Sequence, residues 1–275
     1  MCRYYQSSDV FLANQSLTVW PNLLCISTAK KFYYVQAYEA EFYGKSASGR
    51  RPLLQLQAWL GHFLPLRRIA NAPVYLSFRN LRARSWVPPG VDFSLFSPRP
   101  RSKQSNETTA TLACIGRKEP DKGTRDVLEA FAVLKSNLHS VRLLVAYGNL
   151  PEGFEDVEGI EVVVPANDAE LADFYRSADI FIAPAIGQHG APHYPVMEAM
   201  ACGVPLIATG YLASSPENCW LVPERDAVAI AEAVRRVLAD PLERSRRVQT
   251  ALADIAAFSW DAVAAKMFTH GFLSS

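Results

Sequence analysis

The sequence predicts an α/β fold whose second half is a complete doubly wound parallel sheet. Over residues 111–238, short apolar runs alternate with longer segments that carry apolar residues at helical spacing. The short runs are apolar at successive positions, which is typical of parallel strands that helices cover on both faces. The chain of 275 residues, 49% of them hydrophobic, is long enough to bury a substantial core in one or two domains.

The elements of this second half follow one another regularly. Strands are expected over residues 111–115, 141–146, 160–164, 180–185 and 206–209. Helices are expected over residues 125–134, 169–177 and 228–238, because apolar side chains recur there every three or four positions.

The first part of the chain is less regular. Strands are expected over residues 9–13 and 32–36, and a helix over residues 53–69, where the chain is apolar nearly all round. That helix is too short to span a bilayer. The favoured interpretation is a buried core helix whose flanking arginines reach solvent; the other is a helix lying on a membrane with Trp59 and Phe63 at the interface. The flanking arginines are Arg50, Arg51, Arg67 and Arg68.

The net charge of +1 conceals a strong asymmetry. Residues 1–103 carry 14 Lys and Arg against 4 Asp and Glu, and residues 104–275 carry 14 against 23. A basic first part favours an anionic neighbour, such as a phosphorylated acceptor molecule or a membrane surface, and a solvated basic face without a partner stays open as an alternative. Nucleic acid is not expected as a partner, since no recognition motif is interleaved with the basic residues.

Cysteine usage bears on the compartment. The five cysteines are scattered without C-x-x-C spacing, which favours buried free thiols in a reducing cytoplasm over disulfides or a zinc site. No apolar run is long enough to cross a bilayer, and the first residues lack the layout of a signal peptide. We therefore expect a cytoplasmic protein, with attachment to the inner face of the membrane as an option.

The run from His193 to Thr209 is the most informative stretch of the chain. It predicts a loop, a short helix opened by Pro195 and a buried strand. Free N–H groups at the start of that helix, with the positive end of its dipole, suit a phosphate. Glu198 lies one turn inside, where its carboxylate can accept hydrogen bonds from sugar hydroxyls. A nucleotide sugar offers both groups side by side, so a donor-binding site is the leading interpretation.

A second cluster of candidate residues follows the first strand of the second half. Gly116 and Gly123 allow sharp turns of the backbone on either side of a charged loop. Arg117 and Lys122 then lie at the carboxyl end of the sheet, where open α/β folds bind ligands. Arg grips a phosphate with two parallel hydrogen bonds, and Lys adds a compact point charge. Two surface cations without a ligand are the alternative for this loop taken alone, and the helix of Glu198 favours a diphosphate.

Together these segments resemble the donor-binding half of GT-B glycosyltransferases of family 4. The matching segments are VPPGVDFSLFSP, GRKEPDKGTRDVLEAF, DAELADFYRSADIFIAPA, YPVMEAMACGVPLIAT, NCWLVPERDAVAIAEAV and FSWDAVAAKM, in consistent order over about residues 87–270. The resemblance implies that Arg117 and Lys122 hold the diphosphate, that Glu198 binds the ribose, and that the base lies near residues 165–168. It also implies donor contacts at Gly116, His193, Tyr194 and Val196, and sugar transfer with retained configuration that requires no metal or cofactor.

Two positions of the donor loop depart from the family pattern. The family often carries a glutamate eight positions before the counterpart of Glu198, and this chain has Gly190 there. Pro192 replaces a residue whose N–H commonly faces the donor. Gln188, His189 and His193 are the side chains available as substitutes, and a plain surface or packing role is the alternative for each histidine.

The first domain departs further from the family. It lacks the opening strand and glycine-rich loop, so we expect either a truncated domain or a chain that is shorter than its working form. At the end of the strand over residues 32–36, where many members have a functional histidine, Gln36 and Glu39 are the possible acceptor-side residues. A capping or surface role for Glu39 is the favoured alternative.

A stretch rich in Pro, Ser and charge over residues 88–107 predicts a boundary between domains, and the resemblance implies the roles of the domains and a reaction. Residues 1–103 are expected to form a partial N-terminal acceptor-side domain with its linker, residues 104–258 a nucleotide-sugar-binding domain, and residues 259–275 a helix that returns toward the first domain. The implied activity is retaining glycosyl transfer to a glycan, a lipid-linked or another acceptor, as in polysaccharide biosynthesis. The alternatives are a partner protein that binds nucleotide sugars without catalysis and, more weakly, a sugar-nucleotide epimerase.

Overall fold

The computed structural model describes residues 9–40, 52–99, 109–136 and 140–273. The chain divides into two compact units, Met1–Pro89 with Asp261–Ser275 and Gly90–Trp260. Arg50, Arg51 and Cys2 lie outside the described residues.

The first unit is built on a four-stranded parallel sheet. Its elements are β1 (Val10–Ala13), α1 (Val19–Leu24), β2 (Lys30–Val35), α2 (Pro52–Gly61), β3 (Arg67–Ala70) and β4 (Ser85–Trp86), with the strands in the order β1-β2-β3-β4. From the end of the chain, α8 (Trp260–Lys266) and a π-helical turn (Met267–Leu273) follow. Val263 of this segment is buried in one core cluster with Phe32, Ile69 and Val87.

The single helix predicted over residues 53–69 is wrong. Helix α2 ends at Gly61, and Arg67–Ala70 forms β3, which pairs in parallel with β2 so that Phe32 lies opposite Arg67. Gly61 and Pro65 interrupt the helix, and the apolar residues beyond them serve a buried strand equally well.

The favoured interpretation of this helix as a buried core helix is also wrong. In α2 only Ala58 and Gly61 are buried, whereas the side chain of Leu53 is 76% exposed and that of Trp59 is 40% exposed. The guanidinium of Arg68 does not extend into solvent. It donates hydrogen bonds to the backbone carbonyls of His62, Leu64 and Leu66 and so holds the turn that leads into β3.

The second unit confirms the predicted doubly wound parallel sheet. Its strands are β5 (Ala110–Ile115), β6 (Val141–Ala146), β7 (Ile160–Val163), β8 (Ile180–Ala183), β9 (Leu206–Ala208) and β10 (Trp220–Leu221). Its helices are α3 (Thr124–Lys135), α4 (Asp168–Ser177), α5 (Tyr194–Ala201), α6 (Ala227–Ala239) and α7 (Pro241–Ile255). Two separate apolar clusters, one on each face of the sheet, bury α4, α5 and α7 on one side and α3 and α6 on the other.

The strand order determines where a ligand can bind. The order is β10-β9-β8-β5-β6-β7, so the chain runs outward from β5 in one direction and then resumes at β8 on its other side. Such a reversal opens a crevice between the loops that leave the carboxyl ends of the two strands. The loops after β5 and β8 therefore flank the expected ligand position.

Residues 90–99 pack with the second unit. The side chains of Val91 and Phe96 are buried in its core, and the N–H of Val91 donates to the carbonyl oxygen of Phe258. The division lies within the boundary region predicted over residues 88–107, but before the expected border between residues 103 and 104, because a Pro- and Ser-rich segment can still place individual apolar side chains in a core.

Other features concern cysteines, metals and membranes. Cys25, Cys114, Cys202 and Cys219 are buried free thiols. Within the described ranges, no group of three His, Cys, Asp or Glu residues is arranged to hold a metal ion. No helix in the described part of the chain has the length and apolar character needed to cross a membrane.

Candidate functional site

A pocket lies at the carboxyl ends of β5 and β8. The side chains of Arg117, Lys122, His193 and Tyr211 contribute to its lining, together with Pro195 at the start of α5. The pocket therefore occupies the crevice that the strand order predicts, and it brings both candidate cations next to the helix of Glu198.

The loop that carries the two cations is fixed by its glycines. A Cβ atom on Gly116 would lie 1.7 Å from the carbonyl oxygen of Gly148, and one on Gly123 would lie 1.6 Å from that of Pro184. Gly123 also has a φ of +73°, in the left-handed region that glycine tolerates. Both positions require glycine because neighbouring backbone leaves no space.

Arg117 and Lys122 are available for an anion. The backbone N–H of Arg117 donates to the hydroxyl of Thr124 at 2.9 Å, which fixes the start of the loop. The carbonyl oxygen of Asp121 accepts the N–H of Ile186 at 2.8 Å, which joins this loop to the one after β8. Among the described residues, neither of the two cationic side chains forms an ion pair.

The start of α5 offers less to a phosphate than we expected. The N–H groups of Val196 and Met197 both donate to the carbonyl oxygen of His193 at 3.1 Å, and Pro195 has no N–H. The side chain of Val196 is fully buried in the core. The donor contact at Val196 stays a prediction: its side chain lies in the core, and its N–H already donates to His193.

His193 lies in the pocket as a neutral imidazole. Its ring stacks on Tyr211 with centroids 4.5 Å apart, and the Tyr211 hydroxyl accepts the N–H of Ala185. Burial, reinforced by the charges of Lys122 and Arg117, lowers the pKa of His193 to about 3. Its Nδ1 is buried without a hydrogen-bond partner. A buried polar atom of this kind is suited to a hydrogen bond with a ligand.

Glu198 is held by a residue that the sequence analysis did not single out. The hydroxyl of Tyr175, on α4, donates to Oε2 of Glu198 at 2.8 Å. Burial raises the pKa of Glu198 to about 7; the hydrogen bond from Tyr175 acts in the opposite direction, and Asp168 adds to the rise. The neighbouring Tyr194 is about half exposed. Partial burial of its phenol, together with the charge of Glu198, raises the pKa of Tyr194.

Contacts within the protein fix the loop before α5. Gly190 has a φ of +71°, and its N–H donates to the carbonyl oxygen of Gly210 at 3.0 Å. His189 Nε2 lies 3.0 Å from Oε1 of Glu224, which also accepts the N–H of Gly187. Of the three proposed substitutes for the missing carboxylate, His193 lines the pocket, His189 is engaged with Glu224, and the backbone carbonyl of Gln188 accepts the N–H of Ala191.

The two acceptor-side candidates lie at the end of β2 in the first unit. Gln36 has an exposed side chain, and its backbone carbonyl oxygen accepts a hydrogen bond from the side-chain amide of Asn71 at 2.8 Å. Oε2 of Glu39 accepts the backbone N–H of Ser16 at 2.9 Å and the Ser16 hydroxyl as well. Glu39 thus stabilises the turn at Ser16, and its acceptor-side role stays a prediction.

Comparison with known proteins gives a consistent result. Residues 109–240 match the family described as glycosyl transferases group 1. The chain is 30% identical over 201 residues to a D-inositol 3-phosphate glycosyltransferase of Arthrobacter sp. (strain FB24), covering 65% of this chain and 47% of that protein. It is 29% identical over 192 residues to a phosphatidyl-myo-inositol mannosyltransferase of Mycobacterium leprae, covering 66% and 51%. The chain thus spans about half the length of these curated relatives.

Solved structures share the fold over nearly the whole chain. Sucrose-phosphate synthase from Thermosynechococcus elongatus aligns with a TM-score of 0.78 and 21% identity, covering 97% of this chain and 74% of that one. Anabaena HepE in complex with UDP-glucose aligns with a TM-score of 0.75 and 15% identity, covering 94% and 77%. At these identities the likeness shows the fold, and it agrees with the predicted GT-B type.

Proposed function

Since residues 109–240 match the family described as glycosyl transferases group 1, we propose that this chain transfers a sugar from a nucleotide diphosphate sugar to a glycan or lipid-linked acceptor, with retained configuration. The observation that carries the proposal is the placement of Arg117 and Lys122, without ion-pair partners among the described residues, in a pocket at the switch point of the sheet. The fold that this chain shares with HepE, whose crystal structure contains UDP-glucose, supports a donor of this class.

In the proposed reaction the two cations stabilise the leaving group. When the bond between the sugar and the diphosphate breaks, negative charge grows on the phosphate oxygens, and preorganised positive charge there lowers the barrier. Arg117 supplies a planar fork of donors and Lys122 a point charge. The proposal assigns this role to the two side chains and needs no metal ion or other cofactor.

Two neighbouring groups orient the donor in this proposal. The free oxygen of Glu198 accepts hydrogen bonds from the ribose hydroxyls, while its other oxygen is held by Tyr175. The unpartnered Nδ1 of His193 meets the donor beside the two cations. The base lies toward residues 165–168, where Asn167 caps α4 by accepting the N–H of Glu170.

A thermal-shift panel with UDP-, GDP-, ADP- and dTDP-sugars, followed by a nucleotide-release assay with acceptors, tests the proposal. A ligand that binds only the folded protein raises its melting temperature, so one nucleotide class should produce a clear rise. Released nucleotide that depends on the acceptor supports transfer. Absence of any shift across the panel contradicts the proposal.

A non-catalytic nucleotide-sugar-binding protein is the second candidate. Gly190, held in a left-handed conformation, leaves this loop without the carboxylate that often touches the donor sugar in the family. A thermal shift with a nucleotide sugar, without release of nucleotide from any acceptor, would support this candidate over transfer.

We also propose that the first unit approaches an anionic membrane surface at the cytoplasmic side. Exposed apolar residues lie along α2 and in the turn after it, namely Leu53, Leu56, Trp59, Leu60 and Phe63. Residues 52–89 contain five arginines and no acidic residue, and Arg82 lies 5.7 Å from the ring centroid of Phe63. Apolar side chains flanked by arginines suit the interface of anionic lipids.

Vesicle flotation tests this membrane contact. The chain should bind vesicles that contain phosphatidylglycerol more strongly than purely zwitterionic ones, and replacing Trp59 and Phe63 by Ser should abolish the difference. Leu242→Ser is the matched control, because Leu242 is 85% exposed in the second unit. Equal binding by the double variant and the unchanged protein would contradict the contact.

A further inference from the structure

We propose that the ring of Tyr147 packs against the nucleobase of the donor. The inference rests on the proposed function and adds a contact to the same site. It is carried by the backbone of Tyr147, by the exposure of its ring and by the charged residues around it.

The backbone at Tyr147 is unusual. Tyr147, Gly148 and Asn149 directly follow β6 and have φ values of 64°, 64° and 52°. An aromatic residue rarely adopts this left-handed region, because its Cβ atom approaches the carbonyl oxygen that follows. Neighbouring backbone holds the turn: the N–H of Tyr147 donates to Val163 at 2.8 Å, and Asn149 donates to the carbonyl oxygen of Gly116 at 3.3 Å. A strained residue held in this way is a reason to look for a function.

Packing does not account for the ring. The side chain of Tyr147 is 40% exposed, and neither apolar cluster of the second unit includes it. Its turn leaves the carboxyl end of β6, next to β5, and contacts Gly116. The tyrosine is thus at the edge of the sheet that carries the pocket.

Charged residues near the Tyr147 phenol belong to the proposed diphosphate, ribose and base subsites. Partial burial raises the pKa of Tyr147, Glu198 and Asp168 add to the rise, and Arg117 opposes it. In the proposed function Arg117 meets the diphosphate and Glu198 the ribose, while Asp168 begins the helix that follows the base turn. The position of Tyr147 among these three residues suits a contact with the nucleobase, which is the uncharged planar part of a nucleoside diphosphate.

An exposed aromatic face is suited to that part. Bases stack on aromatic side chains with little dependence on base identity, because every base has a π face. Loss of such a ring should weaken nucleotide binding about tenfold while leaving the grip on the phosphates intact.

The test compares Tyr147→Gly with the unchanged full chain by calorimetric titration of UDP, GDP and inorganic pyrophosphate. Glycine accepts a φ of 64°, so the melting temperature should not fall, whereas the tighter of the two nucleotides should bind about tenfold more weakly. Pyrophosphate, which has no base, should bind unchanged. Tyr147→Phe should retain the affinity for the nucleotide.

Arg225→Gly is the matched control. It relieves the same kind of backbone strain, at a φ of 57°, at an exposed position of the second unit that does not line the pocket, and it removes no ring, so nucleotide affinity should be unchanged. Equal nucleotide affinity in Tyr147→Gly and the unchanged chain overturns the role of Tyr147, as does an equal weakening of pyrophosphate. If the unchanged chain binds neither nucleotide nor any member of the sugar-nucleotide panel, the proposed function itself fails.

Discussion

The hydroxyl of Tyr175 donates a 2.8 Å hydrogen bond to Oε2 of Glu198, joining the last turn of α4 to the second turn of α5. The Tyr175 ring is fully buried and packs edge-on against Phe181, with centroids 5.1 Å apart. Because a packed ring cannot turn away, the carboxylate has one oxygen committed to the protein and one available to a ligand. The orientation of Glu198 is therefore set by the core.

Donor affinity should rise with pH through this carboxylate. The pKa of Glu198 is raised to about 7, and only in the ionised form is the oxygen that Tyr175 does not hold free of a proton and able to accept hydrogen bonds from the ribose. Between pH 6 and pH 8 the affinity for a sugar nucleotide should increase by up to about tenfold, following the ionised fraction. Calorimetric titration across this range measures the change. Glu198→Gln should bind weakly with no such slope, and an equal slope in that variant would exclude Glu198 as its source.

The same carboxyl has the opposite effect on folding. Its pKa is about 7 in the folded chain against an ordinary value of 4.5, so the folded state binds the proton more tightly. The contribution of Glu198 to the free energy of unfolding should fall as pH rises from about 4.5 to about 7, and then stay level. Glu198→Gln should therefore gain stability relative to the unchanged chain between these pH values in urea denaturation. A constant difference across the range would contradict this coupling.

Tyr175→Phe should move the pH midpoint of donor binding upward. The hydrogen bond from Tyr175 lowers the pKa of Glu198, so its loss leaves burial to act with less opposition. Donor affinity at pH 7 should fall severalfold and recover at higher pH, which a purely structural defect would not produce. Tyr34→Phe is the control, since it removes a comparable 2.8 Å bond, to Val87, in the first unit. An unchanged midpoint in Tyr175→Phe would count against this role.

Removal of either cation should slow transfer. Arg117→Ala or Lys122→Ala should each cost at least ~2 kcal/mol in kcat/KM, or about thirtyfold, because the charge on the leaving diphosphate is then poorly balanced. Steady-state kinetics with the nucleotide identified by the thermal-shift panel provides the measurement. Lys118→Ala, an exposed cation of the same loop that does not line the pocket, should have little effect. Wild-type turnover in both pocket variants would remove their proposed role.

Gly123→Ala should destabilise the second unit strongly. Both Gly123, with φ +73°, and Gly153, with φ +92°, have left-handed backbones, so alanine is strained at either position. At Gly123 the new Cβ would also lie 1.6 Å from the carbonyl oxygen of Pro184, whereas nothing lies within 4 Å at Gly153. We expect a loss of more than about 3 kcal/mol for Gly123→Ala and of about 1 kcal/mol for Gly153→Ala in urea denaturation. Equal losses would show that the close contact is not what requires glycine.

The second unit was largely predictable because its strands are apolar on both faces and its helices keep a steady spacing. The first unit was not. Residues 53–69 are largely apolar. In such a run, periodicity cannot distinguish one long helix from a shorter helix that is followed by a turn and a strand. Only the pairing of Arg67–Ala70 with β2 decides between them, and that pairing is a tertiary contact.

Within the site, the sequence indicated the residue types and the structure supplied their partners. Arg117 and Lys122 stand out through their glycines, so their placement in one pocket followed from local pattern. The bond between Tyr175 and Glu198 spans 23 positions and two helices, and no spacing signal marks it. The use of the Val196 N–H depends on how the first turn of α5 closes on His193, which the position of Pro195 alone does not determine.

The return of residues 261–273 to the first unit has a practical consequence for dissecting this chain. Gly90–Trp260 is one continuous stretch and is suited to separate expression. A fragment that stopped at Pro89 would lose Val263, together with Met267 and Phe272 that pack beside it, and would leave Phe32 and Val87 uncovered on that side. The smaller unit is best isolated by joining residue 89 to residue 261 through a short engineered loop.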